Sequence, residues 1–286
     1  RALRDLSECF IGTIHAFCAR LLRGRSERIG IPRDFTPGLE DREKRDLRER
    51  FWQQHLQRMW QERPEQMERL LGAGVDLSEL EGFFGELVRV PELDVYVDGP
   101  ETAPDLTAAL GEAEAFLSEW AGFLPGARPE KGPDKAMKAL QNARAMLRYL
   151  DMDEPTNQVK LLETLAGAVK SGGQKARVTL NRWPDRDRAK TLRDEALPTF
   201  VRQSIQPALR RWRSYVHRLI AGFAQDAVDS FRTARWAQGQ LTFHDLLLAA
   251  RDLLRDHPYV RRALRAQHPR LLVDEFQDTD PVQAEV

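Results

Sequence analysis

Three aliphatic residues that run straight into two adjacent carboxylates constrain this chain more than any other feature. The stretch reads Leu271-Leu272-Val273-Asp274-Glu275 and continues Phe276-Gln277-Asp278-Thr279-Asp280-Pro281-Val282-Gln283. An apolar run this short, bounded by Pro269 and a polar cluster, reads as a strand buried on both faces. Asp280 before Pro281 reads as a helix N-cap with a first-turn proline. Asp274 and Glu275 are therefore expected at the carboxyl end of a buried strand, where open α/β sheets place their ligands. A bare Asp-Glu pair is commonly a solvated loop pair. At a strand end the same pair suits nucleotide cleavage: the first acid holds Mg²⁺, directly or through water, and the second orients or deprotonates the attacking water.

Composition narrows the class. The 286 residues suffice for one large domain or two ordinary ones, and 31% charged with 42% hydrophobic residues suits a soluble protein rich in surface helix. Cys9 and Cys18 sit in apolar surroundings and suggest a reducing compartment rather than a disulfide framework. No apolar run approaches a membrane span, so no membrane partner is expected. The chain lacks a starting Met and stops inside a freshly begun helix, the expectation for an internal piece of a larger protein. Formal net charge is zero, but Lys170 to Ala224 holds thirteen Lys or Arg against four acids, a segment of +9 balanced by −9 elsewhere. Such a block is a candidate phosphate-facing surface.

Cys9-Phe10-Ile11-Gly12-Thr13 reads as the end of a strand, followed by a helix with Ile14, Phe17, Cys18, Leu21 and Leu22 on one face. The turn between them sets Thr13 and His15 at the rim of a sheet, for capping and packing or for contact with a ligand. From Gly24 to about Gln238 the pattern is almost wholly helical. Helices are expected near 40–62, from Ser78, and near 105–123, 134–150 and 156–169, and a long one near 207–237. Asp94-Val-Tyr-Val97 reads as briefly extended. Leu209, Trp212, Val216, Leu219, Phe223, Ala227, Phe231 and Ala234 form the buried stripe of the long helix. Ser171 to Arg188 is the least regular stretch. Ser-Gly-Gly-Gln-Lys lacks the spacing of a phosphate loop and no strand precedes it. It reads instead as a flexible basic loop carrying Lys175, Arg177 and Arg182 beside Trp183. Such a loop suits a single strand through phosphate pairing and base stacking, or is simply solvated with one half-buried Trp. Thr242 and Asp245 stand at capping-box spacing at the next helix start.

Three of these segments carry a family resemblance. Asp-Glu-Phe-Gln-Asp-Thr-Asp-Pro-x-Gln after an aliphatic strand resembles the Walker B motif of UvrD/Rep-type superfamily-one DNA helicases. The Asp-Pro after Asp-Thr leans towards the RecB and AddA branch. Thr13-Ile14-His15-x-Phe17-Cys18 resembles the motif with which these helicases touch single-stranded DNA, and Leu241-Thr242-Phe243-His244-Asp245-Leu246-Leu247 resembles a segment preceding Walker B, with His244 where Asp is usual. The resemblance implies an α/β fold with a large all-α insertion. Residues 1–23 and 239–286 would be parts of the first RecA-like P-loop NTPase domain (1A), and 24–238 a helical accessory domain (1B). It implies ATP and Mg²⁺ as cofactors, Asp274 on the metal, Glu275 as the catalytic carboxylate, and Gln277 and Asp278 in the same motif. Thr13 and His15 would contact DNA. The partners would be single-stranded and duplex-end DNA with AddB- or RecC/RecD-like subunits, in the cytoplasm. The reaction would be 3′ to 5′ translocation in recombinational repair, with a nuclease elsewhere. The Walker A loop would precede Arg1 and the later motifs would follow Val286, so the chain alone is expected to be inactive. Two other readings are a non-catalytic helicase-like subunit and a metal-dependent nuclease using Asp274, Glu275 and Asp278.

Overall fold

Capping residues set where the helices begin. In a computed structural model that describes residues 10–39, 41–90, 93, 95–126, 129–270 and 272–286, α1 (Ile14–Arg23) starts behind Thr13, whose Oγ1 accepts the Ala16 N–H at 3.2 Å. The helices α2 (Asp41–Glu62), α3 (Pro64–Gly72), α4 (Leu77–Arg89), α5 (Thr107–Ala121), α6 (Lys135–Tyr149) and α7 (Pro155–Ala166) follow. Asp76 and Asp134 cap α4 and α6, while α3 and α7 open on proline, whose missing N–H would have no helical partner there anyway. Apart from α3, which the apolar spacing does not predict, these helices lie within a few residues of where that spacing puts them.

The run before the long helix begins earlier than the spacing suggests. α8 (Arg186–Thr191), a π turn at Leu192–Ala196, α9 (Leu197–Phe200), a second π turn at Val201–Ile205 and α10 (Gln206–Ala237) follow without a break. Pro198 and Pro207 account for the π turns. Each lacks an N–H and crowds the carbonyl four residues back, so the ladder resets one position earlier. There Leu197 N–H reaches Leu192 O and Gln206 N–H reaches Val201 O. Of the expected stripe on α10, Leu209, Trp212, Phe223, Ala227 and Phe231 are buried, and Val216, Leu219 and Ala234 are half-buried.

The chain divides into two units. One takes both ends, up to Leu56 and from Asp226 onward, and the other is Gln57–Gln225. The second unit packs Phe116, Leu117 and Trp120 of α5 with Leu140 of α6, Leu161 and Leu165 of α7, and Leu197, Ile205 and Leu209. Phe116 and Phe200 stack at 4.5 Å between ring centroids. The first unit packs Cys18, Leu21 and Leu22 of α1 with Phe35, with Leu246, Leu247 and Leu253 of α11 (Phe243–Asp256), with Val260 of α12 (Pro258–Gln267), and with Val282 of α13 (Pro281–Glu285). Burial pushes the Cys18 thiol up to about 12, so it stays protonated and unreactive. Two short strands, β1 (Thr36–Pro37) and β2 (Gln240–Leu241), pair in parallel, Thr36 opposite Gln240.

Two expected strands are not formed among the described residues. Residues 10–13 and 272–273 are irregular; Ile11 is 84% exposed and Leu272 97%. A strand needs a ladder partner for its N–H and C=O groups. Among the described residues the sheet is the β1–β2 pair alone, so these apolar runs have no neighbour to join. The segment Val95–Val97 is likewise not a strand: Tyr96 is exposed, and its carbonyl pairs with His217 Nε2 at 3.0 Å. Cys9, Glu40, Asp94 and Leu271, which entered the expected elements, lie outside the described residues.

One buried charge pair fastens the first unit. Asp245, 4% exposed, accepts from Arg235 Nη1 at 2.6 Å and Nη2 at 3.1 Å. The Thr242 N–H and hydroxyl each reach Asp245 Oδ2 at 2.7 Å, while the Asp245 N–H returns to Thr242 Oγ1 at 3.1 Å, completing the capping box. Burial pushes the Asp245 carboxyl up, but the hydrogen bonds and charge of Arg235, with those of Thr242, outweigh it and hold the carboxyl below its ordinary 3.8. A depressed folded value contributes stability that is complete above pH 3.8 and is lost as pH falls through the folded value. Asp245→Asn leaves the buried Arg235 charge uncompensated and is expected to cost about 3–5 kcal/mol. Urea unfolding at neutral pH measures this; a loss below about 1 kcal/mol, the range of an exposed pair, contradicts it.

Candidate functional site

Asp274 and Glu275 sit in an exposed turn ahead of α13, not at the end of a sheet strand. Asp274 Oδ1 accepts the Glu275 N–H at 3.0 Å, and Gln277 Nε2 donates to Glu275 Oε2. Glu275 is the one non-glycine at positive φ among the described residues, with φ 52° and ψ 42°. For an L-residue that conformation costs roughly 1–3 kcal/mol, a kind of strain that gathers at functional positions. Phe276–Asp278 form a single 3₁₀ turn, and Phe276 is 63% exposed. The helix start is as the sequence implies: Asp280 Oδ1 accepts the Gln283 N–H at 2.7 Å, and Pro281 takes the first position.

Among the described residues no group of three or more His, Cys, Asp and Glu side chains stands close enough to cage a cation. The turn fits a different kind of site. One oxygen of the exposed Asp274 carboxylate is engaged by backbone, and the other is open. Mg²⁺ is commonly held by one or two carboxylates, with its remaining positions filled by water and substrate phosphates.

Ile14, Phe17 and Cys18, the apolar neighbours of Thr13 and His15, pack on the same core as Leu246, Leu247 and Leu253 of α11. Thr13 is exposed at the start of α1, its Oγ1 used as the cap and its hydroxyl hydrogen left for another acceptor. The half-buried His15 ring meets Phe243 edge-on at 5.2 Å between centroids. Phe243 in turn lies over Gly38, where φ is 82° and an added Cβ would stand 2.6 Å from the ring. The first motif and the segment preceding the acids are thus held against each other through His15, Phe243 and the Gly38 backbone. Position 38 is closed to any side chain.

The basic stretch is not a flexible loop. Gly172 and Gly173, at φ 94° and 73°, turn the chain so that Val169 bridges Ala176 in antiparallel fashion, with the Lys170 N–H on Lys175 O at 2.9 Å. The Ala176 N–H reaches Arg193 O and the Arg177 N–H reaches Ala168 O, both at 2.7 Å. The Gly-Gly pair was the available signal for this turn. Trp183 is also not free to stack on a base. It is 6% exposed, lies on Phe123 at 5.2 Å between centroids, and donates from Nε1 to Asp134 Oδ2 at 2.8 Å. Lys175, Arg177 and Arg182, by contrast, all face one cavity of about 620 Å³.

A family model described as UvrD/REP helicase N-terminal domain matches residues 2–286. No curated protein matches the chain.

Sequence reasoning missed Asp134, which organises the basic stretch. Its carboxylate accepts from the Met137 N–H at 2.9 Å, the Thr179 N–H at 2.7 Å and Trp183 Nε1, joining the α6 cap to residues some forty-five positions later. Only the cap was visible, in Asp134 ahead of a helical pattern. Trp183→Phe keeps the ring packing and removes the hydrogen bond to a charged acceptor. It is expected to lower the unfolding free energy by about 1.5–3 kcal/mol. Denaturant titration checks this, and an unchanged midpoint contradicts the buried role of the indole.

Proposed function

Because the chain belongs to the UvrD/REP helicase N-terminal domain family, we propose that it forms the ATP- and DNA-contacting part of an ATP-dependent DNA helicase. In this reading the two chain ends are pieces of the first RecA-like domain and the helices between them are the accessory domain. The motor moves 3′ to 5′ on single-stranded DNA. It is of the RecB/AddA type, serving recombinational repair with AddB- or RecC/RecD-like partners in the cytoplasm. The observation that carries the reading is the single core on which α1, α11 and α13 converge, because it gathers three motif segments from opposite ends of the sequence.

Asp274 would hold Mg²⁺, directly or through water, and Glu275 would orient or deprotonate the attacking water. When bound, the metal would supply neutralisation of the phosphate charge of ATP. Gln277, which already reaches Glu275, fixes that carboxylate's orientation, and Asp278 belongs to the same motif. Thr13 offers a hydroxyl hydrogen to a strand phosphate, and His15 stands two residues on, at the second position of the helix. Since α1 and α11 touch through His15 and Phe243, a shift of the segment leading to the acids reaches the DNA contact through packed rings.

Glu275→Gln in the full-length polypeptide is expected to keep ATP affinity and to cut turnover by about 10²–10⁴-fold, since size is kept and the basic charge is lost. Thr13 and His15 both changed to Ala should instead lower DNA-stimulated turnover and leave basal ATP affinity nearly unchanged. Steady-state ATPase assays with and without single-stranded DNA distinguish the two. Near-normal turnover in Glu275→Gln, or equal loss of DNA-free ATP affinity in the double variant, overturns the respective role.

A further inference from the structure

A strongly charged concavity lies wholly within Gln57–Gln225, the unit that does not hold the Asp274–Glu275 pair. It is the cavity of about 620 Å³ that Lys175, Arg177 and Arg182 face. Four more cations line it from separate elements: Lys135 and Lys138 one turn apart on α6, Lys170 before the Gly172-Gly173 turn, and Arg193. Asp134 is the one acid of the lining, and its carboxylate already takes three N–H donors. Arg193 is neutralised by Asp194, which it grips at 2.8 and 2.7 Å, and Lys175 stands 4.0 Å from the same carboxylate. Arg182 gives one bond to Gly132 O at 3.0 Å. Among the described residues, the side chains of Lys135, Lys138, Lys170 and Arg177 have no ion pair or hydrogen bond with the protein, and Arg177 Nε is buried without a partner.

Bringing this many like charges to one concavity is unfavourable unless an anion offsets them. The cavity volume is in the range of a small-ligand site, but its lining is mostly cationic rather than apolar. The neighbouring Trp183, which would be the platform for a base, faces inward, and no other aromatic side chain among the described residues lines the cavity. A second, smaller cavity of about 400 Å³ shares Lys170 and adds Arg202, which lengthens the basic track. We propose that this cavity is an oligophosphate site. It binds several adjacent phosphate groups through charge alone and does not read bases. The shared chemistry is a run of phosphates, whether in a free oligophosphate or in the backbone of a polynucleotide. The inference rests on the cavity, not on the motor assignment, and either can fail without the other.

The test uses two probes on the 286-residue chain without ATP. Sodium tripolyphosphate is followed by calorimetry, and a fluorescein-labelled abasic oligodeoxynucleotide by anisotropy at several salt concentrations. Lys138→Glu with Lys170→Glu is the main variant, since both side chains are exposed and unpaired and their reversal spares the core. Arg177→Gln is the second. Arg144→Glu with Arg148→Glu, exposed positions on α6 outside the cavity lining, is the control. The wild-type chain is expected to bind at least one probe. The main variant should weaken it at least about tenfold and flatten the log–log salt slope for the oligonucleotide by roughly 1.4, about 0.7 for each single-strand phosphate no longer neutralised. Arg177→Gln should weaken binding without moving the melting temperature of the free chain by more than a few degrees. Tripolyphosphate binding alone assigns a free oligophosphate. Oligonucleotide binding alone assigns a polymer backbone. Binding of both assigns the shared phosphate chemistry. The proposal is overturned if neither probe binds, if the main variant binds as the wild type does, or if the control weakens binding as much as the main variant.

Discussion

The buried pair between Arg235 and Asp245 is the constraint on which the first unit depends. Arg235 belongs to the last turn of the long helix, Asp245 to the first turn of the next, and the pair closes the five-residue connection between them. Arg235 Nη1 also holds Gln240 O at 3.2 Å, and so fixes β2 in place to pair with β1. Gly239, at φ 67°, completes the turn where Phe35 approaches within 3.1 Å of any added Cβ. Phe243 then falls over Gly38 and against His15. Two charges removed from water recover that cost only when their remaining hydrogen-bonding positions are filled; Thr242 and Gln240 supply three such bonds, while Arg235 Nε is buried without a partner among the described residues.

Charge is used differently in the two units. In the first, the notable cation is buried and matched, and the carboxylates of the proposed chemistry are exposed on a turn with strained backbone at Glu275. In the second, cations converge on a cavity and most of them are unmatched. Zero net charge conceals this, because acids elsewhere in the chain balance the local excess in the sum. A phosphate-bearing ligand meets a concentrated field at the cavity and little long-range attraction from the whole molecule.

Local signals in the sequence are legible where one element carries them. Thr13, Asp134, Thr242 and Asp280 each begin a helix as their type and position imply, and the capping box of Thr242 and Asp245 forms as spaced. Long-range matters are less legible. Nothing in the periodicity of α10 marks Arg235 as buried, because its partner comes ten residues later across a turn. Trp183 has the sequence setting of an aromatic on a basic loop, but its fate is set by Asp134, forty-nine positions earlier. Leu272 and Val273 have the composition of a buried strand, yet composition cannot supply the neighbouring strand that pairing requires. The Asp-Glu pair and the Thr-x-His turn are visible as motifs; that one core serves both becomes visible only through packing.

That shared core is the central claim, and hydrogen exchange tests it most directly. Amide exchange followed by mass spectrometry, comparing the wild-type chain with Asp245→Asn, reports which segments open together. Loss of the pair should speed exchange in Ile14–Arg23 and Phe243–Asp256 in concert, while Lys135–Tyr149 of the second unit keeps its protection. Faster exchange confined to the residues around Thr242, with Ile14–Arg23 unchanged, would contradict the claim that one core binds the motif segments of the two chain ends.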